Sequence, residues 1–122
     1  MKLLVVVDMQ KDFVDGALGT PEAQAIVENV VARVKEAKEA GDQIIFTMDT
    51  HEINYLETAE GKNLPVEHCI KETAGWKLIP QLRPLTAGTK IIQKPTFGST
   101  QLSYLVAIGD YEEIELIGLC TD

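Results

Sequence analysis

Short apolar runs that each stop on a residue able to do chemistry constrain this chain more than any other feature. Residues 3–7 run into Asp8, 44–48 into Asp49, 91–93 into Lys94, and 114–119 end at Cys120. Runs of this length, rich in Val and Ile and bounded by polar or turn residues, read as strands buried on both faces, the pattern of a parallel sheet. Parallel strands deliver their C-terminal residues to one sheet edge, and in open α/β sheets ligands bind in the crevice that opens there. The chain is therefore expected to be α/β, with Asp8, Asp49 and Lys94 gathered at one edge. Asp8 and Lys94 are expected to face each other across adjoining strands.

Helical patterns fill the intervals. Thr20 is expected to cap a helix with Pro21 at its first position and Glu22 in its first turn. Ile26, Val27, Val30, Val31 and Val34 recur at helical spacing opposite Glu28, Arg33, Lys35 and Glu36. Gly41 is the left-handed cap that ends this helix just before the next strand. Residues 50–80 are polar and broken by Gly61, Pro65, Gly75 and Pro80, so they read as an excursion that covers or lines the crevice. A short helix is expected over 76–82, ended by Pro84. Ser99 is expected to cap another helix, through Ile108, that buries Leu102, Leu105 and Val106 before Gly109 and Asp110 turn the chain into the fourth strand.

Composition narrows the partners. At 122 residues and 45% hydrophobic content the chain supports one core and one domain. A formal charge of -8 repels the phosphate backbone of nucleic acid and the anionic face of a membrane, which leaves a small molecule as the expected partner. No apolar stretch approaches the ~20 residues that span a bilayer, and no basic segment followed by an apolar one opens the chain, so a cytoplasmic protein is expected. In that reducing compartment Cys69 and Cys120 read as free thiols.

The residues at the edge suggest the chemistry. Desolvation makes a carboxylate such as Asp8 a stronger base unless a cation compensates it, and Lys94 is the natural cation. Residues two apart on extended backbone point the same way, so the Asp49 carboxylate and the His51 imidazole converge on one ion. His68 and either Glu57 or Glu60, all from the excursion, would complete a mixed oxygen and nitrogen set suited to zinc, iron or manganese. The plainer alternatives are solvated loop charges at Asp8 and Lys94, a turn cap at His51 and a surface position for His68.

Asp8-Met9-Gln10-Lys11-Asp12-Phe13, Asp49-Thr50-His51, His68-Cys69-Ile70, the Lys94 strand end and Gly118-Leu119-Cys120-Thr121-Asp122 resemble, in order and spacing, the isochorismatase-like cysteine hydrolases. The resemblance runs the whole length of the chain. The Asp-x-His pair with a later His is similar to the nicotinamidase branch, whose members hydrolyse nicotinamide to nicotinate and ammonia. The resemblance implies a Rossmann-like three-layer sandwich with a mostly parallel sheet, one domain over 1–122 that is incomplete at its C-terminus. It implies that Asp8 is the general base, that Lys94 pairs with it and steadies charge, and that Asp49, His51 and His68 hold a divalent metal. Zinc is expected, with iron or manganese as alternatives; Glu60 is the expected fourth ligand and Glu57 the reserve. Phe13 matches an aromatic that packs on the substrate ring, where stacking adds about 0.5 to 1.5 kcal/mol beyond area burial. The substrate implied is a small carboxamide, and the relatives are often homo-oligomers.

Departures from the family pattern are specific. The pattern resembles Gly-x-x-Thr-Asp-x-Cys with the nucleophile last, so the reactive cysteine is expected two positions beyond Asp122, in a continuation of the chain. A polypeptide of only these residues is expected to be unstable and inactive, which an intact-mass measurement beside an activity assay would check. Cys120 matches the backbone donor of the oxyanion hole, after a non-proline cis peptide expected between Leu119 and Cys120. Pro65 stands near where many nicotinamidases carry a tryptophan for the other face of the ring. Three alternatives stay open: an isochorismatase-like hydrolase of another small substrate, a catalytically silent relative acting through interaction, and a receiver-type phospho-switch module. A receiver needs adjacent acids after its first strand, whereas Asp8 and Asp12 are separated.

Overall fold

The apolar runs become four strands in a computed structural model that describes residues 1–94, 109 and 111–119. They are β1 (Lys2–Val7), β2 (Gln43–Asp49), β3 (Lys90–Lys94) and β4 (Glu113–Gly118). All pairings are parallel and the strand order is β3-β2-β1-β4. β1 and β2 are the central pair, which is why their apolar runs are nearly continuous. β3 and β4 alternate, and Ile91, Ile114 and Leu116 reach solvent. Asp8 and Lys94 therefore do not leave adjoining strands as expected, because β2 lies between them.

Alternation along the strands divides the core in two. Leu4, Val6, Ile44, Phe46 and Met48 face Val30, Val34 and Ala37 and meet Leu78, Ile79 and Leu82. Each fully buried Val, Leu or Ile here contributes about 1.5–3 kcal/mol, so this layer dominates the stability. On the opposite face Leu3, Val5, Ile45 and Ile92 form a smaller cluster. The helix expected from Ser99 to Ile108 lies outside the described residues, as does the expected cis peptide at Cys120.

The crossover follows its capping residues. After a short α1 (Lys11–Val14), α2 (Pro21–Ala25) opens with the Thr20 hydroxyl accepting from the Ala23 N–H at 3.0 Å. The helix expected to be continuous is divided at Ile26 and resumes as α3 (Val27–Ala40). Gly41 ends it at φ 78, a left-handed conformation that costs glycine nothing, with its N–H turned back on the Ala37 and Lys38 carbonyls.

No helix spans residues 76–82. Single 3₁₀ turns at Ala74–Trp76 and Arg83–Leu85 flank a stretch in which Leu78 bridges antiparallel to Gln10 and the Ile79 N–H donates to the Met9 carbonyl at 3.0 Å. The physical reason is that Leu78 and Ile79 both bury in one core and find backbone partners beside β1. Pro84 sits inside the second turn, not after a helix.

Arg33 of α3 pairs with Glu115 of β4 through three N–H···O contacts of 3.0 to 3.3 Å. The Arg33 hydrogen bonds hold the Glu115 carboxyl below the usual range, against a smaller opposing effect of burial. A depressed carboxylate adds stability above its unfolded pKa of about 4.3 and loses it as pH falls through the lower folded value. Because the pair is partly exposed, Glu115→Gln is expected to cost ~1 kcal/mol or less at pH 7 and nothing at strongly acidic pH, read by thermal melting at both. No described helix is long and apolar enough to cross a membrane.

Candidate active site and metal centre

The C-terminal edge of the sheet gathers the groups the strand ends promised. β1 stops at Val7, and Asp8 turns the chain off the ladder at φ 50, a left-handed conformation unusual for a residue with a Cβ. Its carboxylate is fully buried. Oδ1 accepts from the Thr47 hydroxyl at 2.8 Å and Oδ2 from the Lys94 ammonium at 2.8 Å. The lysine chain reaches over β2 to make this contact, and Lys94 is itself only 6% exposed. The solvated-charge alternative fails for both residues.

A second cluster stands beside it. Asp49 ends β2, in register with Lys94 of β3, and His51 follows on the extended segment, held by its N–H to the Cys69 carbonyl at 2.9 Å. His51 Nε2 lies 3.0 Å and His68 Nε2 3.6 Å from the same Asp49 oxygen, Oδ2. One ligand atom from each of Asp49, His51 and His68 lies within 4.8 Å of the other two. Both imidazoles are buried, so neither the turn-cap nor the surface alternative holds.

The donor set fits a cation. His68 Nδ1 is 2.8 Å from the Val66 carbonyl, which can only accept, so a neutral His68 carries its proton there and turns the Nε2 lone pair on the carboxylate. Asp49 Oδ1 is buried without a hydrogen-bond partner among the described residues. In a charged ring the same Nε2 donates instead: burial alone would raise the Asp49 pKa, but donation from charged His51 and His68 rings holds it well below the usual carboxylate range. Burial likewise works to lower His68, and its bonds to Asp49 and Val66 reverse that and raise it. Lone pairs and a carboxylate converging in a dry site are stable with a positive ion at the centre.

The remaining candidates divide. Phe13 leans on His68, ring centroids 5.5 Å apart, at the flank of the cluster. Glu60 sits at the start of α4 (Ala59–Asn63), with Oε2 3.5 Å from His51 Nδ1, on the outer nitrogen and not with the three inward ligand atoms. Glu57 is exposed in the 3₁₀ turn Tyr55–Glu57. Cys120 lies outside the described residues. Burial pushes the Cys69 thiol up strongly, so it is no nucleophile.

Four further residues shape the site without having been assigned a role. Thr47 bonds Asp8, and Trp76 Nε1 donates to the Thr50 hydroxyl at 2.9 Å. Gln10 clamps the Asp49 backbone. Tyr55 is wholly buried, with ring centroids 4.5 Å from His51 and 5.0 Å from His68 and its hydroxyl on the Leu64 carbonyl. The only sequence signal for Gln10 was its place between two acids in the Asp8 to Phe13 motif. A groove of about 610 Å³ runs along α3 past Val27 and Val31, lined by none of the strand-end residues of this site.

Comparison with known proteins agrees with this geometry. A sequence model of the Isochorismatase domain matches residues 2–122. The chain is 28% identical to a nicotinamidase of Saccharomyces cerevisiae over 123 aligned residues, covering 77% of this chain and 56% of the yeast protein. It thus spans little more than half the length of that curated relative. Its fold is similar to a pyrazinamidase/nicotinamidase from Streptococcus mutans, with a TM-score of 0.86, 28% identity, and coverage of 100% of this chain and 74% of that one. It is also similar to a pyrazinamidase of Pyrococcus horikoshii solved in complex with zinc, with a TM-score of 0.79, 29% identity, and coverage of 98% and 71%. The receiver reading finds no support in the fold, the buried Gln10 or these similarities.

Proposed function

Because the chain belongs to the Isochorismatase domain family, we propose that its protein is a cysteine amidohydrolase of small carboxamides, with nicotinamide as the first substrate to test. The observation that carries this reading is the buried Asp8–Lys94 pair at 2.8 Å beside the Asp49, His51 and His68 cluster. A base, a fixed positive charge and a metal-type donor set share one buried edge.

In the proposed reaction the thiol two positions past Asp122 gives its proton to Asp8, and the thiolate sulfur bonds to the amide carbon. The carbonyl electrons move onto oxygen, where backbone N–H groups near Cys120 and the electrostatic field of Lys94 balance the charge. When the carbon–oxygen double bond re-forms, the carbon–nitrogen bond breaks, and the leaving nitrogen takes the proton held by Asp8 and departs as ammonia. Asp8 then accepts a proton from the water that attacks the thioester, and returns it to the sulfur. Phe13 packs on one face of the substrate ring. Asp49, His51 and His68 would hold a divalent ion, zinc first and iron or manganese next, which would supply an anchor for a ring nitrogen. Glu60 orients His51 or completes the ligand set.

The similar proteins named nicotinamidase and pyrazinamidase support a pyridine or pyrazine amide. The full protein, incubated with nicotinamide, pyrazinamide and aliphatic amides, is expected to release ammonia from the ring amides, and a chelator is expected to abolish that release. Absence of ammonia from every amide would overturn the proposal. Full activity after verified metal removal would overturn the role of the Asp49 cluster while leaving the hydrolase reading in place.

A further inference from the structure

We infer that Gln10 and Asp12 are positioning residues that together set the separation between Asp49 and His68. The inference rests on the metal reading of that cluster. Once Asp8 leaves the ladder, the backbone of Asp49 has β3 on one side and no strand partner on the β1 side. The Gln10 carboxamide takes that place. Its Oε1 accepts from the Asp49 N–H at 2.8 Å, and its Nε2 donates to the Asp49 carbonyl at 2.8 Å and to the Trp76 carbonyl at 2.7 Å. The side chain is wholly buried. It therefore acts as one extra peptide unit in the sheet, fixing the Cα–Cβ direction that aims the Asp49 carboxylate.

Two residues on, the opposite wall is held in the same way. Asp12 Oδ2 accepts from the Cys69 N–H at 2.8 Å, while the Cys69 carbonyl accepts from the His51 N–H at 2.9 Å. Cys69 is held at φ 50, a conformation costly for a residue with a Cβ, so the chain after His68 needs an outside hold to keep its course. Gly75 closes over the Asp12 carboxylate so tightly that a Cβ there would strike it. One short segment thus grips both chain stretches that carry ligands, and Phe13 at its end rests on the His68 ring.

The test uses the full protein as wild type, Gln10→Met, Asp12→Ala and Asp12→Asn. Zinc affinity is measured by competition with a chromophoric chelator, the visible spectrum of the cobalt-loaded protein reports the ligand field, and melting of the metal-free protein reports stability. Gln10→Met and Asp12→Ala are each expected to weaken zinc binding by roughly 10- to 100-fold and to change the cobalt bands. Asp12→Asn is expected to recover part of the affinity, because a carboxamide oxygen still accepts from Cys69. Affinities within about twofold of wild type with unchanged cobalt bands would overturn the inference, even with a lowered melting temperature, since both residues would then serve the fold alone. Should Gln10→Met fail to fold, Gln10→Glu, which keeps the acceptor and loses the donors, is measured by the same criteria. A wild-type protein that binds no zinc, iron or manganese would instead overturn the metal reading beneath it.

Discussion

Asp8→Asn is expected to lower ammonia release by about 10²- to 10⁴-fold, the usual contribution of a positioned general base. The substitution keeps the size of the side chain and leaves an oxygen to accept from Lys94 or Thr47, but a carboxamide cannot take the proton from a thiol. Lys94 is not left without a counter-charge, because Asp49 ends the neighbouring strand in register with it. The variant should keep the far-ultraviolet circular dichroism spectrum and whatever metal content the wild type has, which separates lost chemistry from lost fold. Unchanged turnover would reject Asp8 as the base and, with it, the mechanism proposed above.

Lys94→Met is expected to produce the largest loss of stability, about 3–5 kcal/mol, because it leaves a carboxylate fully buried with one hydroxyl as its remaining side-chain partner among the described residues. Methionine fills similar space, so packing accounts for little of the effect. Urea unfolding of Lys94→Met, Asp8→Asn and the double variant measures the coupling. The double variant should be less destabilised than the sum of the two singles, since no unpaired carboxylate remains in it. Strict additivity would mean that the two groups, 2.8 Å apart, do not interact energetically, and the sheet-edge pair would lose its significance.

How far the sequence could be read depended on whether a local pattern carried the information. Burial on both faces wrote β1 and β2 as unbroken apolar runs, and Thr20 with Pro21 and Gly41 marked the ends of the crossover helices by their own backbone preferences. The convergence of Asp49 and His51 was legible because side-chain direction repeats every second residue along extended chain. Strand order was not, since nothing local says which strand lies between two others, and Lys94 proved to reach across β2. Gln10 carried no reading of its own beyond its place in the Asp8 to Phe13 motif, although its bonds complete the sheet. Residues 76–82 misled because Leu78, Ile79 and Leu82 fall at spacings that suit a short helix, whereas backbone partners beside β1 hold Leu78 and Ile79 and leave Leu82 to the turn that follows.

The two halves of the site close loops of very different length. Asp49, His51 and His68 need only the excursion to approach one another, and the Gln10 and Asp12 contacts that set their separation span 39 and 57 positions, whereas Asp8 and Lys94 are separated by 86 positions and require β2 to be seated between them. Long-range closure carries the greater entropic cost and comes late on the way to the native state. On the proposed metal reading, loose ion capture can therefore precede assembly of the proton-transfer pair, and an ion that favours the closed excursion would draw the rest of the chain after it by mass action. Metal content alone is thus a poor gauge of how many molecules in a preparation are competent.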